Sequence, residues 1–355
     1  MDDPAAIETS QDAYVDVSES YGRIACLQRL VPLILRTNEH TYLSTPERDD
    51  PLGATWLELG LRGLENLHER FRPKVRRAAV IGTGSGLDAI GIAEIFSPES
   101  IVASDIHPRA LEAARWNVAG YLRPEVRCEL LRSDLFRGYS SDTTFDLVFE
   151  NLPNVPEDEA TGASLLEGIR SSSCYNASAY VADPLVDRHL LTLHYNCLLE
   201  ARDHLTPDGW VVSLIGGRIP WAVVVETFRK AGFGARVLEF GIKTQTEPGI
   251  VLEGYARAEE DGSPPFLYYY PPESCLNALP RGRDGRGDGA DPAGTVEEGN
   301  AALDAFRVSA REALALHRRG KKVCHTVYVV GGHALGGRVA GGTPAARATQ
   351  APPAQ

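Results

Sequence analysis

The sequence predicts an α/β fold built on a doubly wound, mostly parallel seven-stranded sheet, and three observations carry that expectation. First, a short aliphatic strand, Ala78–Ile81, runs into a turn with alternating glycines at Gly82, Gly84 and Gly86, then into a helical pattern from about Leu87 to Ile95. Second, strand-like and helix-like stretches alternate along the chain, the signature of a parallel sheet covered on both faces. Third, 355 residues with 43% apolar content suffice for one large α/β domain with additions, or for two small domains.

Taken in order, residues 1–72 are expected to form an N-terminal helical lid. It starts with a loose acidic stretch, followed by helical spacing over residues 11–36 that Pro32 interrupts. A polar-aromatic loop from Thr37 to Glu47 leads to a helix over Pro51–Phe71 with Trp56, Leu57, Leu61, Leu64 and Leu67. Such a layer serves equally to cover a sheet edge. Residues 73–280 form the core. Its expected strands are Ala78–Ile81, Ser100–Asp105, Val126–Ser133, Phe145–Glu150, Trp210–Ile215, Ala235–Phe240 and Ile250–Ala258. Its expected helices are Leu87–Ile95, Pro108–Asn117, Asp187–Leu205 and Pro220–Ala231. Residues 281–299, rich in Gly, Asp and Arg, read as a flexible linker. A helix over Ala301–Arg318 and a strand over Lys321–Val330, within residues 300–335, complete the fold. Residues 336–355 read as a disordered tail.

Charge and cysteine usage narrow the function. A net charge of −12 argues against a nucleic-acid binder, which presents a basic face. The six cysteines (Cys26, Cys128, Cys174, Cys197, Cys275 and Cys324) are scattered without a CxxC pair, as in a cytoplasmic protein with reduced thiols and no metal site. The first residues lack an apolar core, so no secretory leader is expected. No apolar run approaches the roughly 18 residues of a membrane span.

The chemistry starts at Gly82-Thr83-Gly84-Ser85-Gly86. Glycine supplies positive φ and close backbone approach to a ligand. A dinucleotide site wants G-x-G-x-x-G, whereas here the third glycine follows after one residue. Asp105 ends the next strand, followed by Ile106; a carboxylate there can accept both hydroxyls of a ribose, a placement shared with nicotinamide-binding sheets. Asp134 and Leu135 follow the third strand. Either acid also suits a helix cap. The glycine spacing resembles the first motif of class I S-adenosylmethionine-dependent methyltransferases. Asp134 with Leu135 resembles that family's position that hydrogen-bonds the adenine amino group beside an apolar residue. The resemblance implies S-adenosylmethionine as methyl donor, bound by Gly82, Thr83, Gly84, Ser85, Gly86, Asp105, Ile106, Asp134, Leu135 and Asn151.

The fourth strand ends in Asn151-Leu152-Pro153-Asn154. This resembles the Asn-Pro-Pro-Tyr end of amine- and amide-directed methyltransferases, where the Asn side chain and the next carbonyl hold the acceptor. Leu152 and Asn154 stand where Pro and Tyr would, so the aromatic that stacks on a base or amide is lost. That departure and the acidic charge speak against a DNA-adenine or protein-glutamine acceptor. The stretches Ser173–Asp183, Leu214–Pro220, Phe228–Phe233, Lys243-Thr244 and Phe266–Tyr270 look like the methyltransferase domain of methionine S-methyltransferases. This second resemblance covers residues 75–335.

It implies transfer of a methyl group to the thioether sulfur of free methionine, giving S-methylmethionine, a precursor for dimethylsulfoniopropionate. A thioether lone pair needs no general base, so positioning and exclusion of water carry the reaction. Asn151 and Tyr180 are the expected catalytic residues, with Asn151, Leu152, Pro153, Tyr180, Asp183 and Arg218 binding the substrate. Arg218 would grip the α-carboxylate bidentately and Asp183 the ammonium. Arg218 equally suits an ion pair, Tyr180 plain packing, and Asp183, before Pro184, a helix start. The expected partner is a small molecule, with no nucleic acid and no membrane, and a homodimer is compatible. The alternatives are an N-methyltransferase acting on another small molecule or on a protein glutamine, and a non-catalytic S-adenosylmethionine-binding protein.

Overall fold

The computed structural model describes residues 12–22, 24–38, 40–41, 52, 54–156, 174–175, 180–272 and 292–335. The parallel heart of the sheet consists of β3 (Arg77–Ile81), β4 (Ser100–Asp105), β5 (Arg127–Arg132), β6 (Phe145–Glu150) and β9 (Leu205–Gly216). β13 (Cys324–Ala334) runs antiparallel between β9 and β10 (Phe233–Thr244). The order of the long strands is therefore β10-β13-β9-β6-β3-β4-β5, which realises the expected seven-stranded sheet. Two strands of two residues each, β11 (Tyr268–Tyr269) and β12 (Arg307–Val308), extend it to nine beside β13. β7 (Val155–Pro156) and β8 (Cys174–Tyr175) form a separate parallel pair just beyond β6.

Side chains alternate across this sheet, so each face carries its own core. On one face Ala78, Val80, Leu147, Phe149, Val212, Leu214, Val327 and Val329 are buried under α2 (Trp56–Phe71), α3 (Leu87–Phe96) and the N-terminal segment. On the other, Ala79, Ile81, Val148, Val211, Ile215 and Val330 lie under α6 (Thr192–His204), α7 (Trp221–Lys230) and α8 (Pro248–Glu260). α4 (Pro108–Tyr121) follows β4 as the crossover to β5. The fold is the α/β, Rossmann-like doubly wound class that the strand–helix alternation predicts. α2 lies close enough to the sheet that a methyl group at Gly63 would come to 2.4 Å of Val329 Cγ1.

Four expectations are corrected. The helical spacing expected over residues 11–36 is in fact a two-stranded antiparallel ribbon, β1 (Ala13–Asp16) with β2 (Ile34–Thr37), joined by the single turn α1 (Ser18–Tyr21) and a 3-10 turn over Ala25–Leu30, whereas the helix expected over Pro51–Phe71 is present as α2. The spacing around β2 is two-fold, not helical: Leu33 and Leu35 are buried while Ile34 is exposed. The ribbon is also fastened down, because Asn117 of α4 accepts from the Arg36 N–H at 2.8 Å and donates to the Arg36 carbonyl at 3.0 Å. The strand expected over Ile250–Ala258 is the helix α8, begun by Pro248, with Leu252, Tyr255 and Ala256 buried at helical spacing. The expected helix Asp187–Leu205 divides into α5 (Pro184–Asp187) and α6, because Leu190 adopts a left-handed φ of 56°. The linker expected over 281–299 gives way at Pro292 to a helix, α9 (Pro292–Leu303), which with α10 (Ala310–Arg318) replaces the single helix expected over 301–318. Residues 281–291, the tail 336–355 and the acidic start lie outside the described residues, as do residues 173 and 176–179 of the quoted Ser173–Asp183 stretch. Among the described residues no helix is long and apolar enough to cross a membrane.

Candidate active site

In a doubly wound sheet the ligand crevice lies beyond the carboxyl ends of the strands where the strand order reverses. That point is between β3 and β6, where Ile81 is the register partner of Glu150. The glycine turn leaves β3 with φ of 73° at Gly82, 51° at Gly84 and 86° at Gly86, values open to glycine at no steric cost. Thr83 N–H donates to the Ser104 carbonyl and Gly86 N–H to the Thr83 carbonyl, each at 2.8 Å. Behind the turn, the fully buried Asn117 donates to the Ser85 carbonyl at 2.8 Å. In front of it, a methyl group added to Gly84 would meet nothing within 4 Å. The Thr83 hydroxyl is buried with no partner among the described residues. An open backbone surface with an unused polar atom fits the methionine half of a nucleoside cofactor.

Asp105 closes β4 beside this turn. Its Oδ2 accepts the Gly84 N–H and its Oδ1 the His107 N–H, both at 2.9 Å. Burial pushes its pKa up, while those two N–H groups pull it down. The neighbouring Ile106 leaves half its surface exposed, an apolar face next to a carboxylate. The His107 ring stacks on His40 at 4.8 Å, so the segment after β2 walls this side. Asp134 accepts from the Tyr180 hydroxyl at 2.7 Å and pairs with Arg137, whose guanidinium sits 5.1 Å from the centre of the Tyr180 ring. Leu135 is buried with φ of 47°. The structure thus joins Tyr180, expected near the acceptor, to the expected adenine-side acid.

The end of β6 meets the glycine turn directly: a methyl group at Gly82 would come to 3.0 Å of Leu152 Cδ2. Asn151 makes no side-chain hydrogen bond to a described residue and is half-buried, Leu152 is buried, and Pro153 is half-buried. Asn154 Nδ2 donates to the Leu190 carbonyl at 3.1 Å, anchoring the turn to the left-handed corner between α5 and α6. The other two expected substrate residues have partners inside the fold. Asp183 caps α5 by accepting from Leu185 and Val186 N–H at 2.9 and 3.2 Å, and pairs with Lys230 at 2.6 Å. Arg218, 3% exposed, donates to Gln245 Oε1, Tyr255 Oη and His325 Nε2, with its guanidinium 5.0–5.8 Å from the ring centres of Tyr255, Tyr268 and Trp56. Burial and the neighbouring Arg218 and Lys243 cations hold His325 well below its ordinary pKa, so it is neutral and accepts.

Sequence reasoning missed Glu150 and His194. Both are completely buried, and His194 Nδ1 lies 2.9 Å from each Glu150 oxygen. A carboxylate only accepts, so Nδ1 carries the proton. The one signal in the sequence is a charged residue directly after the apolar run Leu147–Phe149 of β6.

No family model matches the chain. Over 126 residues it is 32% identical to a release factor glutamine methyltransferase of Rhodopirellula baltica, covering 35% of this chain and 40% of that protein. Over 136 residues it is 39% identical to a release factor glutamine methyltransferase of Koribacter versatilis, covering 38% and 45%. A ribosomal protein uL3 glutamine methyltransferase of Bradyrhizobium diazoefficiens is 35% identical over 142 residues, covering 40% and 41%. The chain thus spans about two fifths of the length of the curated relatives it matches. Among solved structures it is similar to a ribosomal protein L11 methylase of Lactobacillus delbrueckii subsp. bulgaricus (19% identity, TM-score 0.32, 49% of this chain and 67% of that one). It is similar also to the YcgJ protein of Bacillus subtilis (11% identity, TM-score 0.39, 78% and 99%).

The curated relatives are named as methyltransferases, in line with the expected methyltransferase class and its S-adenosylmethionine donor. They overturn the methionine S-methyltransferase expectation, and with it S-methylmethionine and dimethylsulfoniopropionate: the relatives are named for glutamine in proteins, not for a free amino acid. The expected small-molecule partner is corrected with it. That expectation rested on the second-half resemblance, with Leu152 and Asn154 in place of Pro and Tyr speaking against a glutamine, but the amide-directed relatives outweigh both. The carboxylate and ammonium roles expected of Arg218 and Asp183 lapse with methionine as acceptor.

Proposed function

We propose that this chain transfers the methyl group of S-adenosylmethionine to the side-chain amide nitrogen of a glutamine in a protein partner. The observation that carries this reading is the contact between Leu152 and the Gly82 turn, with the Asn151 side chain left without a described partner at that junction. The two named substrate classes of the relatives, a release factor and a ribosomal protein, favour a glutamine presented by a protein.

On this reading the Gly82–Gly86 backbone lies along the amino-acid half of the donor. Asp105 accepts the ribose hydroxyls with lone pairs beyond the two used by Gly84 and His107. Ile106 and Leu135 flank the adenine, and Asp134 takes its amino group in place of the Tyr180 hydroxyl. When bound, S-adenosylmethionine supplies an electrophilic methyl on a cationic sulfur. An amide nitrogen is a poor nucleophile because its lone pair is delocalised into the carbonyl. Asn151 Oδ1 and a backbone carbonyl of the turn accept its two N–H groups and orient that lone pair toward the methyl group. The N–CH₃ bond forms as the S–CH₃ bond breaks, and one amide proton leaves to solvent. Catalysis is positioning, with effective concentration as its main term.

The test is to incubate the full chain with isotope-labelled S-adenosylmethionine and, separately, a bacterial release factor, ribosomal protein uL3, free glutamine and free methionine. Peptide mass spectrometry should find label on a glutamine side chain of a protein. Label on a free amino acid and on neither protein would overturn the reading.

A further inference from the structure

Glu150 is an unusual residue for the centre of a sheet. Its register partners are Ile81, the last residue before the glycine turn, and Ser213 of β9. Its side chain shares the face of Val148 and Ile81 that α6 covers. There it meets His194, and neither group has any exposed surface. A pair this deep is a poor way to gain stability, since apolar residues of similar volume do as well or better. What an apolar pair would lose is a second bond: Glu150 Oε2 accepts the Leu152 N–H at 3.3 Å, so the carboxylate folds back onto the turn it precedes. His194 Nδ1 fixes the carboxylate from the other side, and Asn151 is the residue spanned between these two fixed points. His194 Nε2 is buried without a described partner, so the Nδ1 bond alone ties this ring to the site.

We infer that His194 is a positioning residue: through Glu150 it sets the Asn151–Leu152 turn and thereby the acceptor, without touching donor or acceptor itself. The inference deepens the methyl-transfer reading and rests on it for the turnover measurement alone. Two variants of the full chain separate this role from general stability. An Asn side chain places its amide nitrogen near the Nδ1 position and keeps the donor to Glu150; a Gln side chain reaches the Nε2 position and displaces it.

For His194→Gln, amide hydrogen exchange in the peptide spanning 150–154 should quicken about tenfold, the scale of one lost hydrogen bond. The turnover number on the methylated protein should fall about 10²-fold, the scale of a misplaced acceptor. S-adenosylmethionine affinity by calorimetry should stay within about twofold. His194→Asn should stay within about threefold of the parent in all three measurements. Equal behaviour of the two variants, or donor affinity falling in step with turnover, would overturn the inference. If the parent chain methylates no protein, the functional reading fails, while the exchange comparison still decides this inference.

Discussion

On the β3–β4 side of the site, shape comes from the backbone. Three glycines with positive φ turn the chain, and Asp105 is held by two backbone N–H groups within a few residues of the turn or of itself. On the β6–β9 side, shape comes from buried polar side chains meeting across long stretches of sequence: Glu150 with His194 at the site and, in the sheet beyond it, Arg218 with Gln245, Tyr255 and His325. On the proposed function, a cofactor common to many reactions is served by geometry that any chain can write locally, and an acceptor particular to one reaction by contacts that only the finished fold assembles. If this division holds, damage to the second side should leave donor binding intact, and damage to the first should not.

The largest expected effect is at the junction. Asn151→Ala should lower turnover by about 10³-fold, about 4 kcal/mol of barrier, the upper range for one positioned hydrogen-bonding group, with S-adenosylmethionine affinity unchanged by calorimetry. A matching loss of affinity would move Asn151 to the donor side. Next comes Glu239 on β10, a carboxylate 8% exposed that accepts from Phe240 N–H and Asn66 at 3.0 and 3.2 Å. Burial pushes its pKa from 4.5 to about 7. The folded state then holds the proton more tightly than the unfolded one, so its contribution is full below about pH 4.5 and is lost as pH rises through about 7, by about 3 kcal/mol. Glu239→Gln should therefore raise stability over the parent in urea unfolding at pH 8, with the gap closing toward pH 4.5. A gap independent of pH would mean that the two donors hold the ionised form without penalty.

How much of this was legible follows the same division. The glycine turn, Asp105 and the end of β6 could be placed because each motif is contiguous and its chemistry is local. Glu150 and His194 lie 44 residues apart, and no pattern in either stretch announces the other. The N-terminal ribbon was hidden because Leu27, Leu30, Leu33 and Leu35 mimic helical spacing, while the two-fold alternation that decides it covers only four residues of β2. The Ile250–Ala258 stretch opens on a β-branched pair, which outweighed the Pro248 start and the buried Leu252, Tyr255 and Ala256 that mark a helix. The misassigned acceptor comes from the likeness of the second half of the chain to methionine S-methyltransferases, with the glutamine reading set aside on two side chains, Leu152 and Asn154. In the fold Leu152 touches the glycine turn and Asn154 anchors to Leu190, so both fix the position of Asn151 and, on the proposed function, say little about what it holds.

On the donor side, Asp105→Ala should weaken S-adenosylmethionine binding by about 2 kcal/mol, roughly thirtyfold, through the lost charge-assisted contact. Calorimetry measures it directly, and unchanged affinity would remove Asp105 from the ribose. The carboxylate also holds the Gly84 N–H, so part of this loss comes from a loosened turn. Asp105→Asn, which can still accept that N–H, should retain more affinity than the alanine variant and so sort the two contributions.

The smallest effect is the one most able to break the division. Arg218 is a buried cation with no carboxylate among the described residues, held by three aromatic faces and three neutral acceptors. Removing its charge relieves a desolvation penalty of several kcal/mol, while Gln245, Tyr255 and His325 each lose a donor, at up to about 1–3 kcal/mol apiece. The terms oppose, so Arg218→Met, which refills most of the volume, should shift unfolding free energy by only about 1 kcal/mol. Methyl transfer and donor affinity should both be retained, because this cluster supports β9, β10, β13 and α8 and touches neither the glycine turn nor Asn151. A variant that unfolds normally and binds S-adenosylmethionine normally, yet has lost transfer to protein, would place the arginine among the acceptor's own contacts. The acceptor half would then reach from β6 across the sheet to β13.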